Sequence, residues 1–347
     1  RGNQLKNTII DRESRLYVLT HGSYVTMDGD DVVIRKFKTE IFRRRLADLD
    51  MLYLQGIAMN ISMGLQLKLA ALDIPVVFAP PTGAPLAVLN PIQSSKSFLR
   101  GQQVLRRNDP DMVEAGLKML SAKVGNQAAV LRYFAKYRKK RAPDAAALLS
   151  KTADKISELE GGIKDIDSSS AVARTAGMGY EGRAASLYWQ ALSKLVPPEA
   201  AFEGRVTLRA SDTVNQCLNY VYGILYGEVW RALVKAGLDP YFGFIHGSER
   251  NQGSLVFDLI EEFRAPFGDR LIFGFFGRGF KPRIGSHGFI KTAYKKQIAL
   301  GFSRQWTKKI PWRSKSVAPG EIIERQAMSL MKLIQREGLY HPYRMKW

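Results

Sequence analysis

Within Tyr241–Arg264 (YFGFIHGSERNQGSLVFDLIEEFR) one imidazole, His246, precedes three acids, Asp258, Glu261 and Glu262, all set between apolar runs. Imidazole and carboxylate together suit Mg²⁺ or Mn²⁺ better than a structural zinc, which usually takes thiolates. The spacing of Leu255, Leu259 and Phe263 predicts a helix over 254–263 with an apolar stripe. Asp258 and Glu261, three apart, then share a face. Glu262 is turned by about 100° from Glu261 and should point off that face, so that its replacement by alanine is expected to be close to neutral. A lone histidine and a few acids on a helix also describe a solvated face, and spacing alone leaves both readings open.

Other chemistry-bearing residues are more isolated. Glu181 opens the run YEGRAASLYWQALSKLV, predicted as a helix starting at Tyr180 and stopped by Pro197–Pro198; an acid in a first turn is favoured by the helix dipole without any function. Cys217 falls on the apolar side of a helix capped by Ser211 or Asp212 and ended at Gly237, and reads as a core thiol because no histidine in its segment would activate it. His21, beside Gly22, reads as a turn residue, and His287 as a surface histidine in a Gly- and aromatic-rich connection over 265–293. The glycines of GFFGRGF lack the strand, helix and trailing Lys-Ser/Thr of a phosphate loop.

The elements that must position these residues fall into two zones, an α+β arrangement. After a polar lead-in over 1–15, read as a linker or fusion remnant, residues 16–90 carry short β-branched and aromatic runs separated by turns such as DGDD, with one helical stretch at Ser62–Leu72. Their alternation predicts a small N-terminal β-sheet domain with one solvated face. From 91 to 347 the period changes to that of helices, predicting a larger all-α domain. The chain carries 52 Lys and Arg against 32 Asp and Glu, a net charge of +20, which points to a polyanionic partner, nucleic acid before a membrane surface. The stretch VLRYFAKYRKKR interleaves Arg132, Arg138 and Lys139 with Tyr133 and Tyr137, as a nucleic-acid backbone groove requires, although a basic helix end also complements the dipole. The tail YHPYRMKW is aromatic and basic and reads as a partner or nucleic-acid contact. No run of about 18 apolar residues and no signal pattern occur, and the single cysteine excludes an intramolecular disulfide, so a cytoplasmic protein is expected.

Taken together, YEGRAASLYW (180–189), RASDTVNQCLNYVY (209–222) and GLDPYFGFIHG…SLVFDLIEEFR (237–264) resemble, in order, spacing and context, the CRISPR-associated integrase family that carries out spacer acquisition. The resemblance implies a β-sheet domain that dimerises and a helical catalytic domain. It implies Glu181, His246 and Glu261 as ligands of a catalytic Mg²⁺ or Mn²⁺, with Asp258 as a second carboxylate candidate. Some members carry Asp where Glu261 stands, and the adjacent Glu262 leaves the choice of carboxylate open. The implied reaction is attack by the 3′-hydroxyl of a captured DNA fragment on a phosphodiester at the edge of a repeat, with no covalent protein intermediate and no ATP. The implied partners are double-stranded DNA (prespacer and repeat), a second copy of the chain, and a small second adaptation protein. Arg209, Arg264, Arg132, Arg138 and Lys139 are the candidates for the DNA backbone. The start at Arg1 and the tail resemble the subgroup fused to a reverse transcriptase and an RNA-processing domain. A metal-dependent nuclease without joining activity, or a catalytically idle nucleic-acid scaffold, are the competing classes.

Overall fold

The computed structural model describes residues 9–12, 14–81, 83, 85–89, 96–207, 210–246 and 253–346. Eleven strands and ten α-helices are found among them. Strands β1 (Ile9–Arg12), β2 (Arg15–Val18), β3 (Ser23–Asp28), β4 (Asp31–Lys36), β5 (Thr39–Arg45), β6 (Met51–Gln55), β7 (Asn60–Ile61), β8 (Val76–Ala79) and β9 (Ala87–Leu89), with helix α1 (Met63–Ala71), make the N-terminal part. They form a five-stranded sheet in the order β1-β2-β6-β8-β9 and a four-stranded sheet in the order β5-β4-β3-β7. The DGDD turn joins β3 to β4 as the sequence predicts, with Gly29 at φ 58°. Ile9–Arg12, read as part of a polar lead-in, instead pairs antiparallel with β2.

One expectation fails at the larger sheet, which is buried on both faces. The period-2 alternation of β2, β6 and β8 sends Leu16, Val18, Leu52, Leu54 and Val76 to a small core with Val25, Val32, Ile34 and the Leu65 and Leu69 of α1. The alternate residues Tyr17, Met51, Tyr53 and Val77 join the main helical core. What covers that second face is helix α6 (Thr213–Ala236), which brings Gly227 to the ring of Tyr53 and Glu228 to the strand β2. There Glu228 accepts from Arg15 Nε at 2.8 Å and from the Tyr17 hydroxyl at 2.6 Å, all three groups being buried. A buried carboxylate with two such donors is satisfied in place.

The helical part begins with α2 (Ser97–Leu105) and continues through α3 (Pro110–Arg138), α4 (Pro143–Lys164) and α5 (Ala173–Ser193). After α6, whose Asp212 cap accepts from the Asn215 N–H at 2.7 Å and whose stop is Gly237 at φ 83°, come α7 (Ser254–Phe263), α8 (Arg270–Phe276), α9 (Thr292–Thr307) and α10 (Pro319–Ile334). A two-stranded hairpin, β10 (Ile310–Trp312) with β11 (Lys315–Val317), interrupts it. Cys217 is fully buried, as predicted, and burial pushes its thiol far up. Two segments differ from the sequence reading. The start of α5 lies at Ala173, not Tyr180, and the chain after α7 does not loop out but runs through a wide π turn at Arg264–Asp269 into α8. Among the described residues no helix is long and apolar enough to cross a membrane.

Candidate metal and nucleic-acid site

The site lies where α3, α5 and α7 meet. Because α5 begins seven residues earlier than predicted, Glu181 sits in its third turn, and the dipole no longer accounts for an acid there. On α7, Asp258, Glu261 and Glu262 are all buried. All of α7 but the half-buried Phe257 is therefore inside, and each acid must find donors there.

Asp258 finds them in the chain before it. Its Oδ2 accepts from the N–H of Phe244 at 2.5 Å and of Ile245 at 3.0 Å, and its Oδ1 accepts from the N–H of His246 at 3.0 Å and meets the His246 Nδ1 at 2.5 Å. The turn needs glycine at 243, where a Cβ would stand 2.6 Å from Asp258 Oδ2. Asp258 thus spends both oxygens on placing the His246 turn, and Nε2 remains as the ring nitrogen for a ligand. Burial opposes a charge on His246, but the hydrogen bond and charge of Asp258 outweigh it and raise the imidazole above its usual value. Arg107 and Arg174 brace the same turn, Arg107 donating to the carbonyl of Gly243 at 2.9 Å and Arg174 to that of Phe244 at 2.5 Å.

Glu261 and Glu181 meet through a residue the sequence did not single out, Lys123 of α3. Its Nζ is 2.6 Å from Glu181 Oε1 and 2.8 Å from Glu261 Oε2. The other oxygen of Glu261 lies 2.5 Å from Arg264 Nη1. Burial would raise the Glu261 carboxyl, but Arg264 and Lys123 hold it down at about 2, so it is an anion throughout the physiological range. Burial likewise works against the Lys123 ammonium and is outweighed by Glu261 and Glu181, leaving its pKa raised.

Glu262 points off this face, as its 100° offset requires, but not into solvent. It accepts from the Tyr340 hydroxyl, from the Tyr343 N–H at 2.6 Å and from Gln326 Nε2 at 3.0 Å. Burial raises its carboxyl to about 7 against the pull of these donors. The aromatic tail read as a contact surface is therefore the back wall of α7: Tyr343 stacks on Phe263 at 5.5 Å and 14°, and Asn126 bonds the carbonyls of Glu262 and Tyr343. The expectation of a near-neutral Glu262→Ala does not survive this geometry.

The predicted DNA-backbone residues are scattered. Arg264 lies in the site, its guanidinium over the rings of Tyr222 and Phe257. Arg132 is engaged with α4 through Asp154 at 2.8 Å and Ser157 at 3.0 Å. Arg138 lies over Phe134, and Lys139 is exposed at the end of α3. Arg209 falls outside the described residues. On the far side of α7 from Asp258, a cleft of about 700 Å³ is lined by Arg205, Arg264 and Lys295 among Tyr222, Tyr226 and Phe257, a basic and aromatic setting suited to nucleotides.

Among the described residues no three His, Cys, Asp or Glu side chains stand around one point at coordination distance; Lys123 stands between the two glutamates. The donor set itself fits a hard divalent ion: two carboxylates, one of them with a buried oxygen, Glu261 Oε2, that accepts no well-formed hydrogen bond, and one imidazole with its second nitrogen fixed.

A mainly helical region after twin N-terminal sheets, with a glutamate, a histidine–aspartate pair and a second glutamate at one helix junction, is what defines the class of this protein. The sequence profile of the family described as CRISPR associated protein Cas1 matches residues 16–298, and the chain belongs to that family. It is 28% identical over 348 residues to CRISPR-associated endonuclease Cas1 1 of Archaeoglobus fulgidus, covering 96% of this chain and 100% of the relative. To CRISPR-associated endonuclease Cas1 1 of Francisella tularensis subsp. novicida it is 30% identical, covering 69% of this chain and 70% of the relative. Two of the solved structures that share the fold illustrate the likeness. One is a casposase bound to integration product, with a TM-score of 0.75, 23% identity and coverage of 92% of this chain and 91% of that one. The other is a Cas6-RT-Cas1–Cas2 complex, with a TM-score of 0.79, 19% identity and coverage of 97% of this chain and 37% of that one.

Proposed function

We propose that this protein is a metal-dependent DNA integrase of CRISPR adaptation, joining the 3′-hydroxyl ends of a captured DNA fragment into a repeat. The observation that carries the reading is the convergence of Glu181 and Glu261 on one cation, beside a histidine whose ring is fixed by Asp258. Glu181, Glu261 and Nε2 of His246 would hold the metal, while Asp258, with both oxygens committed, orients the histidine. When bound there, Mg²⁺ or Mn²⁺ would offset the charge that develops on the attacked phosphate.

The protein's own groups supply the rest. Asp258 holds Nδ1 and so presents the opposite nitrogen; Glu261 stays ionised because Arg264 faces it; Arg264, stacked on Tyr222 and Phe257, leads from the site into the basic, aromatic cleft, which suits a strand end. In the reaction a 3′-oxygen attacks phosphorus, one P–O bond forms as another breaks, and a new 3′-hydroxyl leaves, so no nucleotide cofactor is required. Exposed Phe37, Ile57, Met63 and Leu67 on the N-terminal part support homodimer formation there, and the net charge of +20 supports a DNA partner. A small second adaptation protein, and a reverse transcriptase in the same polypeptide, are supported by the name of the complex that shares the fold.

Incubation with the second adaptation protein, a repeat-bearing plasmid and a labelled short duplex tests the assignment. The integrase transfers label to the plasmid, and Glu181→Ala, His246→Ala and Glu261→Ala each stop it. Nicking without label transfer would make the protein a nuclease, and neither outcome would leave a binding scaffold.

A further inference from the structure

Lys123 has no part in the reaction as described, yet its ammonium occupies the centre of the site. It reaches from α3 between carboxylates of two other helices, 2.6 Å from one and 2.8 Å from the other, which is the place a divalent ion would take. The negative charges around it are already more than matched. Glu181, Asp258 and Glu261 carry three negative charges; Lys123 and Arg264 in the site, with Arg107 and Arg174 on the His246 turn, carry four positive ones. A divalent ion added to that set would meet net repulsion inside a buried cluster, where charges are poorly screened. Two events relieve it: departure of the ammonium, and arrival of a phosphodiester. The four-carbon stem of a lysine allows the first without moving the helix, and the second gives the ammonium a new anion.

We propose that Lys123 is a resident cation that holds Glu181 and Glu261 together in the DNA-free protein and cedes their oxygens to the divalent ion only when a DNA phosphate takes up its ammonium. Metal and DNA phosphate then bind cooperatively, each raising the affinity of the other by the same factor. The inference rests on Glu181, His246 and Glu261 being the metal ligands. Its consequence is a site that stays unloaded away from DNA and becomes competent on it.

The test is Mn²⁺ binding to the full chain, read from the free-Mn²⁺ electron paramagnetic resonance signal with and without a short duplex. Ions held by the DNA itself are subtracted using the Glu181→Gln/Glu261→Gln double variant. In the wild type the duplex should tighten site-specific Mn²⁺ binding at least about tenfold. Lys123→Met should bind Mn²⁺ about tenfold tighter than wild type without DNA, with little further gain from the duplex. Lys123→Gln, which keeps a neutral donor between the carboxylates, should behave in the same way and serves if the methionine variant does not fold. Equal Mn²⁺ affinity of the wild type with and without duplex, or variants that keep the wild-type coupling, would overturn the role of Lys123 and leave the ligand set standing. Absence of site-specific Mn²⁺ in the wild type even with duplex would overturn both.

Discussion

Replacing Asp258 by alanine should unseat the turn that carries His246 before it changes any charge at the metal. Three backbone N–H groups, of Phe244, Ile245 and His246, have Asp258 as their acceptor, and Phe244 and Ile245 are buried. A buried donor left without an acceptor costs about 1–3 kcal/mol, so the two buried ones together cost roughly 2 kcal/mol at the low end, before the half-buried His246 N–H and the bond to its ring are counted. That is a large share of the ~5–15 kcal/mol that usually holds a fold together. A melting temperature lower by on the order of 5 °C should accompany it. Joining activity should be lost and should not return as Mn²⁺ is raised, since a misplaced imidazole is not restored by more metal. The assays are thermal melting in chelator and label transfer over a Mn²⁺ series. A variant as stable as wild type whose activity returns at high Mn²⁺ would make Asp258 a metal ligand and refute the orienting role.

Glu262→Ala should destabilise the protein by several kcal/mol, because it leaves the Tyr343 N–H and the Tyr340 hydroxyl without their buried acceptor, and urea denaturation reads this directly. The same residue predicts a pH effect. Its folded pKa of about 7 stands above the ordinary carboxyl value, so its contribution to stability is full at low pH and is lost as pH rises toward and through 7; melting curves between pH 5 and 8 should show this fall in wild type and not in Glu262→Gln. His246→Ala should abolish joining yet leave duplex affinity within about twofold, because many phosphate contacts supply that affinity, and filter binding measures it. Duplex binding should weaken steeply with salt, with a log–log slope of several units; a flat response would exclude a backbone-tracking surface.

The sequence carried the elements whose signals are local. The helix at Ser254–Phe263, the cap at Asp212, the stop at Gly237 and the DGDD hairpin all follow from periodicity and capping chemistry within a few residues. Elsewhere tertiary contact decides. The first turns of α5 contain Gly177 and Gly179, which weaken a helix signal, yet Gly177 is needed because a Cβ there would lie 2.7 Å from Leu117. Pro266 and Gly268 look like breakers after α7, but a π turn absorbs them. Lys123 gave no signal at all, since its two partners are far along the chain and a single lysine on a long helix reads as surface. The burial of Tyr340 and Tyr343 was likewise invisible, because composition does not distinguish an aromatic tail that binds a partner from one that completes a core.

That tail sets an order of events during synthesis. Tyr340 lies 78 residues beyond Glu262, an interval a ribosome covers in on the order of ten seconds. Until those residues emerge, Glu262 lacks its hydroxyl and amide donors and the inner face of α7 lacks its aromatic cover. A nascent chain therefore carries Glu181, His246, Asp258 and Glu261 for some seconds before the residues that cover the opposite side of α7 have been made.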